Sequence, residues 1–263
     1  MKIGIIGLGV VGTASRNGFE SLGHDVVVHD IALDTTIEDV SETGLCFVCV
    51  PTPSKESGEC DTSIVESVVK ELSELEYKGI ICIKSTVSPG TTERLKVKYG
   101  VDICFVPEFL RERCATEDFI DNHDVCIIGT SSGMFYNIIK DAHGDIPETF
   151  VSLTETEAEF CKYFNNTYNA TLITFANSFY ELCNSMGVNY TNVKNAIVNR
   201  KTINNFYLDC DDNTRGFGGM CLPKDTKEMA HLCNQLKTSV EFFKDVLKEN
   251  DKYKTTVFKG MRE

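Results

Sequence analysis

A short apolar strand, three spaced glycines, a helix, a second strand and a terminal acid open this chain, and that order leaves few folds available. Lys2-Ile3-Gly4-Ile5-Ile6 reads as a buried strand, and Gly7-Leu8-Gly9-Val10-Val11-Gly12 follows at once. Thr13 to Leu22 continues as a helix, and Val26-Val27-Val28-His29 ends in Asp30. Each glycine has its own task in a dinucleotide-binding βαβ unit. Gly7 makes the tight turn, Gly9 lets a pyrophosphate approach the backbone, and Gly12 lets the helix pack on the strand. Leu8, Val10 and Val11 belong to the same cofactor segment, at a helix N-terminus that faces the phosphates. Asp30 would accept hydrogen bonds from the adenosine ribose and repel a 2′-phosphate, which favours NAD over NADP. A βαβ unit without ligand is the plain alternative, but packing alone does not require all three glycines.

Strand-like runs recur at 45–50, 79–84, 102–106 and 124–128, with helical patterns between several of them, notably Thr62 to Leu75 behind Asp61 or Ser63. Alternating elements of this kind predict an α/β fold with a doubly wound, Rossmann-type parallel sheet, here over residues 1–151. Ligands of such sheets bind beyond the carboxyl ends of the strands. Three polar segments lie at those ends: Pro51-Thr52-Pro53, Ser85-Thr86-Val87-Ser88-Pro89-Gly90 and Pro107-Glu108-Phe109-Leu110-Arg111-Glu112. Singly each reads as a connection; together they mark one edge.

Residues 152–263 read as a second, all-helical domain. Its spine is a helix over 154–186, with Phe160, Phe164, Tyr168, Leu172, Phe175, Phe179 and Leu182 at three- and four-residue steps. That pattern predicts one buried stripe, and a helix this long can be both spine and dimer interface. Lys162 and Asn166 are one turn apart and share a face, either as functional groups or as a solvated pair. Asn192 to Val198 forms a short helix, Arg200 to Arg215 a polar loop, and 224–235 and 240–249 further helices. The charged tail from Asn250 is expected to fray.

Gly216-Phe217-Gly218-Gly219-Met220-Cys221-Leu222-Pro223-Lys224-Asp225 is the second chemical focus. Pro223 suits the first turn of a helix, which places Cys221 at its N-terminus. The helix dipole and a nearby lysine favour a thiolate, so Cys221 is a candidate nucleophile. The alternative is a small apolar residue at a turn.

Net charge of −13 argues against nucleic acid polymers and anionic membranes as partners. No apolar run reaches transmembrane length and no signal peptide precedes the first strand, which predicts a cytoplasmic protein. Twelve cysteines then read mostly as small core residues. Cys46 and Cys49 lie on one strand and point to opposite faces, so no metal site is expected.

The quoted motifs, with Val50-Pro51-Thr52-Pro53 and Gly218 to Asp225 foremost, resemble the UDP-glucose/GDP-mannose dehydrogenase family. Leu222 to Lys227 looks most like the UDP-glucose 6-dehydrogenases. The resemblance implies NAD-dependent oxidation of a primary alcohol to a carboxylate in two steps, of the UDP-glucose to UDP-glucuronate type, by a homodimer. It implies Cys221 as the nucleophile that captures the aldehyde, Lys162 as the oxyanion stabiliser, with Asn166 positioning the reacting centre. Asp225 and Thr86 would handle the alcohol proton, and Glu108 would activate water against a thioester. Pro51, Thr52, Ser85, Thr86 and Glu112 would contact the cofactor. Glu108, Phe109, Leu110, Arg111, Lys162, Asn166, Phe217, Gly218 and Gly219 would line the sugar-nucleotide site. Arg200 resembles the arginine that reaches a neighbouring subunit's substrate.

The family carries a further C-terminal domain that clamps the nucleotide, for which this sequence leaves no room. The expectation is weak nucleotide binding, a smaller substrate or a partner that completes the site. Two other readings stay open: a two-electron β-hydroxyacid-type dehydrogenase, which needs no cysteine, and a non-catalytic NAD-binding dimer.

Overall fold

The computed structural model describes residues 1–256; the last seven of the expected second domain, 257–263, lie outside the described residues. The chain divides into two compact units. The first comprises Met1–Lys55 and Cys60–Lys162, the second Glu56–Glu59 and the chain from Tyr163 onward.

The strands of the first unit are β1 (Lys2–Ile6), β2 (Asp25–His29), β3 (Leu45–Val48), β4 (Ile80–Ile83), β5 (Ile103–Phe105), β6 (Val125–Gly129) and β7 (Thr149–Leu153). They form one sheet in the order β2-β1-β3-β4-β5-β6-β7. The chain leaves β1 toward β2 on one side and toward β3 on the other, so a switch point lies between β1 and β3. Its helices are α1 (Val10–Ser21), α2 (Ser63–Glu74), α3 (Thr91–Tyr99), α4 (Ala115–Ile120), α5 (Gly133–His143) and the start of α6 (Glu155–Ser185). Strand residues alternate between two cores, as a sheet covered on both faces requires. Ile3, Ile5, Leu45, Phe47 and Cys104 meet α1, α4 and α5 through Phe19, Phe119 and Ile139. Cys46, Val48, Ile81, Ile83 and Phe105 meet α2, α3 and α6 through Val69, Leu95 and Ala158. Cys46 and Cys49 thus face opposite cores.

Two features correct the expected sheet. It is mixed: β5 and β6 are antiparallel, joined at Phe105↔Gly129, and β7 runs parallel to β6. The intervening α4 has six residues and spans only about 9 Å, too short to return the chain to the start of the sheet. Val151, expected to close the domain, lies inside β7. The compact unit continues to Lys162 because the first turns of α6 are bonded into it. Glu155 accepts from Lys96 Nζ at 3.1 Å, and Glu159 accepts from the Gly90 and Thr92 N–H groups at 2.5 and 2.8 Å.

The second unit holds the rest of α6 with α7 (Tyr190–Ile197), α8 (Leu222–Gln235) and α9 (Phe242–Asn250). Asn189 caps α7 by accepting from the Asn192 N–H. The tail past α9 does not fray at once: Thr256 pairs with Phe217 in an isolated parallel bridge. The α6 stripe is a further correction. Leu172 packs within the chain, but Phe164, Phe175 and Leu182 are 75%, 54% and 60% exposed. The face of α6 that this unit covers instead carries small and polar residues, among them Ala170, Thr174, Ala176 and Asn177. Among the described residues, no helix is long and apolar enough to cross a membrane.

Candidate active site

At the switch point the backbone is set by close approach. Gly7 has φ +93°, and a Cβ there would lie 2.6 Å from the Cys49 carbonyl oxygen. A Cβ on Gly12 would lie 1.8 Å from the Gly7 oxygen. In front of them opens a cavity of about 440 Å³, lined by Leu8, Gly9, Val10, Thr13, Glu112 and Arg113 among others. Val11 continues the first turn of α1. Asp30, at the end of β2, accepts from the Leu8 and Ala32 N–H groups at 2.6 and 2.9 Å. Those two backbone bonds hold its carboxyl below the usual range. Pro51 and Thr52 follow β3. After β4, Ser85 Oγ donates to the Val50 carbonyl at 2.7 Å, and the Thr86 carbonyl accepts from Cys60 Sγ.

Because β7 runs against β1–β5, α6 begins away from the cofactor edge and climbs back beside α3. Glu155 meets Lys96 and, one turn on, Glu159 meets Thr92 and Gly90. The next turn delivers Lys162, whose Nζ donates to both Oε1 and the carbonyl of Glu108, each at 2.7 Å. Both side chains are at least nine-tenths buried. The Phe109 ring lies 5.8 Å from the same Nζ, and the Leu110 N–H donates to Glu108 Oε2. Arg111 is held by Asp118 through its main-chain N–H and a two-pronged guanidinium contact. Burial works against the Asp118 charge, but Arg111 outweighs it and holds that carboxyl below the usual range.

In the second unit, Asn166 Nδ2 donates to Asp225 Oδ2 at 2.5 Å, and Lys224 Nζ pairs with Oδ1 of the same fully buried carboxylate. Cys221 is the N-cap residue of α8 and is exposed, with Pro223 in the first turn. Asp225 closes that turn by donating its N–H to the Cys221 carbonyl at 2.9 Å. Gly219, with φ +72°, turns the chain just upstream, next to Gly218. Phe217, expected to line a ligand site, is 2% exposed, in a core with Ala170 and Val246. It is an anchor of the loop. Arg200 is exposed.

Two family models match this chain. The NAD-binding domain of the UDP-glucose/GDP-mannose dehydrogenase family matches residues 32–144, and the central domain of the same family matches residues 156–252. The chain belongs to the UDP-glucose/GDP-mannose dehydrogenase family. Among relatives of this family, a GDP-mannose 6-dehydrogenase of Pseudomonas syringae pv. tomato is 26% identical, over 95% of this chain and 68% of its own length. A UDP-glucose 6-dehydrogenase of Rickettsia typhi is 29% identical, over 95% of this chain and 67% of its own. The solved UDP-glucose dehydrogenase of Pyrobaculum islandicum superposes with a TM-score of 0.88 at 29% identity, covering 95% of this chain and 68% of that one. The chain therefore spans about two thirds of the length of these relatives.

As a family member the chain is an NAD-dependent dehydrogenase acting on CH–OH groups, and its first unit is the NAD-binding domain. The residues present fit that cofactor. A Cβ on Gly9 would meet nothing within 4 Å, so the approach to α1 is open. The first turn of α1 carries no acidic side chain and no side-chain cap, so its N–H groups are suited to a pyrophosphate. Asp30 uses one hydrogen bond on each oxygen, and a carboxylate has about four acceptor positions, which leaves capacity for a ribose. Sequence reasoning missed Arg113 and Cys114, which line the same cavity directly after Glu112. A basic residue beside a phosphate-binding turn was the available signal. It also missed Glu159, for which one acid in a helix gives none.

Proposed function

We propose that the chain oxidises the primary alcohol of a sugar nucleotide, of the UDP-glucose type, to the carboxylate. One alcohol, two NAD⁺ and one water become one carboxylate, two NADH and three protons. The observation that carries this reading is the pairing of successive turns of α6 with acids: Lys162 with Glu108, and Asn166 with Asp225. Bound NAD supplies the hydride acceptor for both oxidations. Asp225 takes up the hydroxyl proton as the aldehyde forms, relayed by Thr86 and an ordered water. Cys221 Sγ adds to the aldehyde carbon, and the resulting thiohemiacetal retains the hydrogen that leaves as the second hydride. Glu108 directs water onto the thioester, which releases the thiol. Lys162 holds the oxygen that gains charge at each stage, and Asn166 orients it. Pro51, Thr52, Ser85 and Glu112 are assigned to the cofactor, and Phe109 to Arg111 with Gly218 and Gly219 to the sugar nucleotide. The relatives' names support the substrate class, and Leu222 to Lys227 supports the UDP-glucose type within it.

The test is NAD reduction by the purified chain with UDP-glucose, GDP-mannose and simple hydroxy acids. Two NADH per molecule of acid, with acid formation abolished in Cys221→Ala, is the expected result. One NADH per molecule of a hydroxy acid, unchanged in Cys221→Ala, would replace this reading with a two-electron dehydrogenase. NAD binding without turnover of any of them would leave a binding protein.

The exposed stripe on α6 supports a homodimer through that helix, with Arg200 directed to the partner's substrate. Sedimentation of the wild type should give a dimer and Phe164→Asp with Phe175→Asp a monomer; a monomeric wild type would remove the proposal.

A further inference from the structure

Asn250, the last residue of α9, is 5% exposed and directs its whole amide at one residue. The Phe217 N–H donates to its Oδ1 at 2.8 Å, and its Nδ2 donates to the Phe217 carbonyl at 3.0 Å. The side chain thus does for Phe217 what a neighbouring strand does for a ladder residue. The approach depends on the glycine before it: a Cβ on Gly216 would lie 2.7 Å from Asn250 Oδ1 and 3.3 Å from Tyr253 Cβ. The chain beyond α9 reinforces the grip. Thr256 donates its N–H to the Gly216 carbonyl at 2.9 Å, and its Oγ1 accepts from the Arg215 N–H at 2.7 Å. With its ring in the core as well, Phe217 is fixed through main chain and side chain together.

The next anchored point is the start of α8, where the Cys221 carbonyl accepts from the Asp225 N–H and the Leu222 side chain packs on the same core. Gly218, Gly219 and Met220 span the interval, and Gly219 sits at φ +72°. The place of the sulfur therefore depends on both ends, the first turn of α8 and the upstream anchor at Phe217. We propose that Asn250 is a positioning residue for Cys221, holding the upstream end of the span that leads into the thiol. This rests on the nucleophile reading of Cys221. Removing the amide leaves two buried main-chain groups unpaired, and they recover partners only by moving. A shift of about 1 Å at a reacting atom is enough to cost about 100-fold in rate.

The test uses the full chain as N250A and N250D, with three readouts. The first is kcat and KM for UDP-glucose and NAD. The second is the alkylation rate of Cys221 by iodoacetamide, followed peptide by peptide with Cys233 as internal reference. The third is thermal unfolding. N250A should lower kcat by about 10- to 100-fold with the NAD KM within about twofold, and shift the Cys221 alkylation rate by about threefold or more with Cys233 unchanged. N250D keeps an acceptor for the Phe217 N–H but sets a charged oxygen against the Phe217 carbonyl. Protonation restores a donor, so its kcat relative to wild type should recover as pH falls from 8 to 6. A lower melting temperature with kcat and the Cys221 rate both unchanged would overturn the proposal. So would a flat pH ratio for N250D, the deciding variant if N250A does not fold. If the wild type turns over no sugar nucleotide, the catalytic reading falls, and the alkylation rates still decide the positioning role.

Discussion

The cofactor edge of the first unit and the Cys221 loop of the second both hold irregular backbone in a fixed place, and they do it by opposite means. At the edge, main chain fixes main chain: Gly7 sits against the end of β3, and Gly12 sits against Gly7. At the loop, distant side chains fix main chain. The Arg215 guanidinium lies between the Tyr180 and Tyr253 rings, 4.9 Å from each centroid, while Nε reaches Asn177 and a terminal nitrogen pairs with Glu181. Tyr190 donates to the Leu208 carbonyl, and Asn250 brackets Phe217. Backbone set by backbone tolerates almost any side chain outside the contact and no Cβ within it. Backbone set by side chains has the reverse tolerance, so variants in the two regions should fail differently.

The largest effect is expected at the edge. Gly12→Val places carbon where the Gly7 oxygen stands, 1.8 Å from a Cβ position. The turn must move by more than about 1 Å, so NAD affinity should fall about 100-fold or more by calorimetry. Affinity within about threefold of wild type would show that the edge is adaptable and break the contrast. Arg215→Ala should act on the other side of the comparison. It removes two ring contacts and two polar contacts, with a loss of about 1–3 kcal/mol and a melting point lower by several degrees. NAD affinity should stay unchanged while turnover falls; a parallel loss of NAD affinity would contradict the division.

The smallest effect sharpens the contrast, because Glu159 is a side chain holding backbone inside the first unit. Burial pushes its carboxyl up from 4.5 to about 7, against the pull of the Thr92 and Gly90 bonds. A raised folded-state pKa means that its contribution to stability is complete below pH 4.5 and declines as pH rises through about 7. Glu159→Gln cannot ionise, so the melting-point difference, variant minus wild type, should grow by a few degrees between pH 4.5 and pH 8. A difference that stays constant across that window would refute the burial argument.

The same contrast explains what the sequence made legible. The strand-glycine-helix-strand order announced the nucleotide fold because the contacts behind it are local and allow only glycine. Lys162 and Asn166 could be placed on one helical face because i, i+4 spacing is geometry. The reversal of β6 and β7 was not visible, since one ladder pair, Phe105↔Gly129, joins them to the rest and leaves no compositional trace. The α6 stripe was legible as apolar but not as uncovered, because periodicity reports a face without naming what meets it. Phe217 was misplaced for a related reason: glycines beside an aromatic suggest a ligand, while the partner that buries its backbone is 33 residues away.

The opening turns of α6 also behave as a counter. Each helical residue advances about 1.5 Å and rotates about 100°, so Glu155, Glu159 and Lys162 reach Lys96, Thr92 and Glu108 only at one spacing. Deleting a single residue between β7 and Lys162 would swing the ammonium more than a quarter-turn off Glu108. It would do so even if every remaining amino acid were the original one. Substitution can drift along this stretch, whereas changes of length belong in turns such as 144–148.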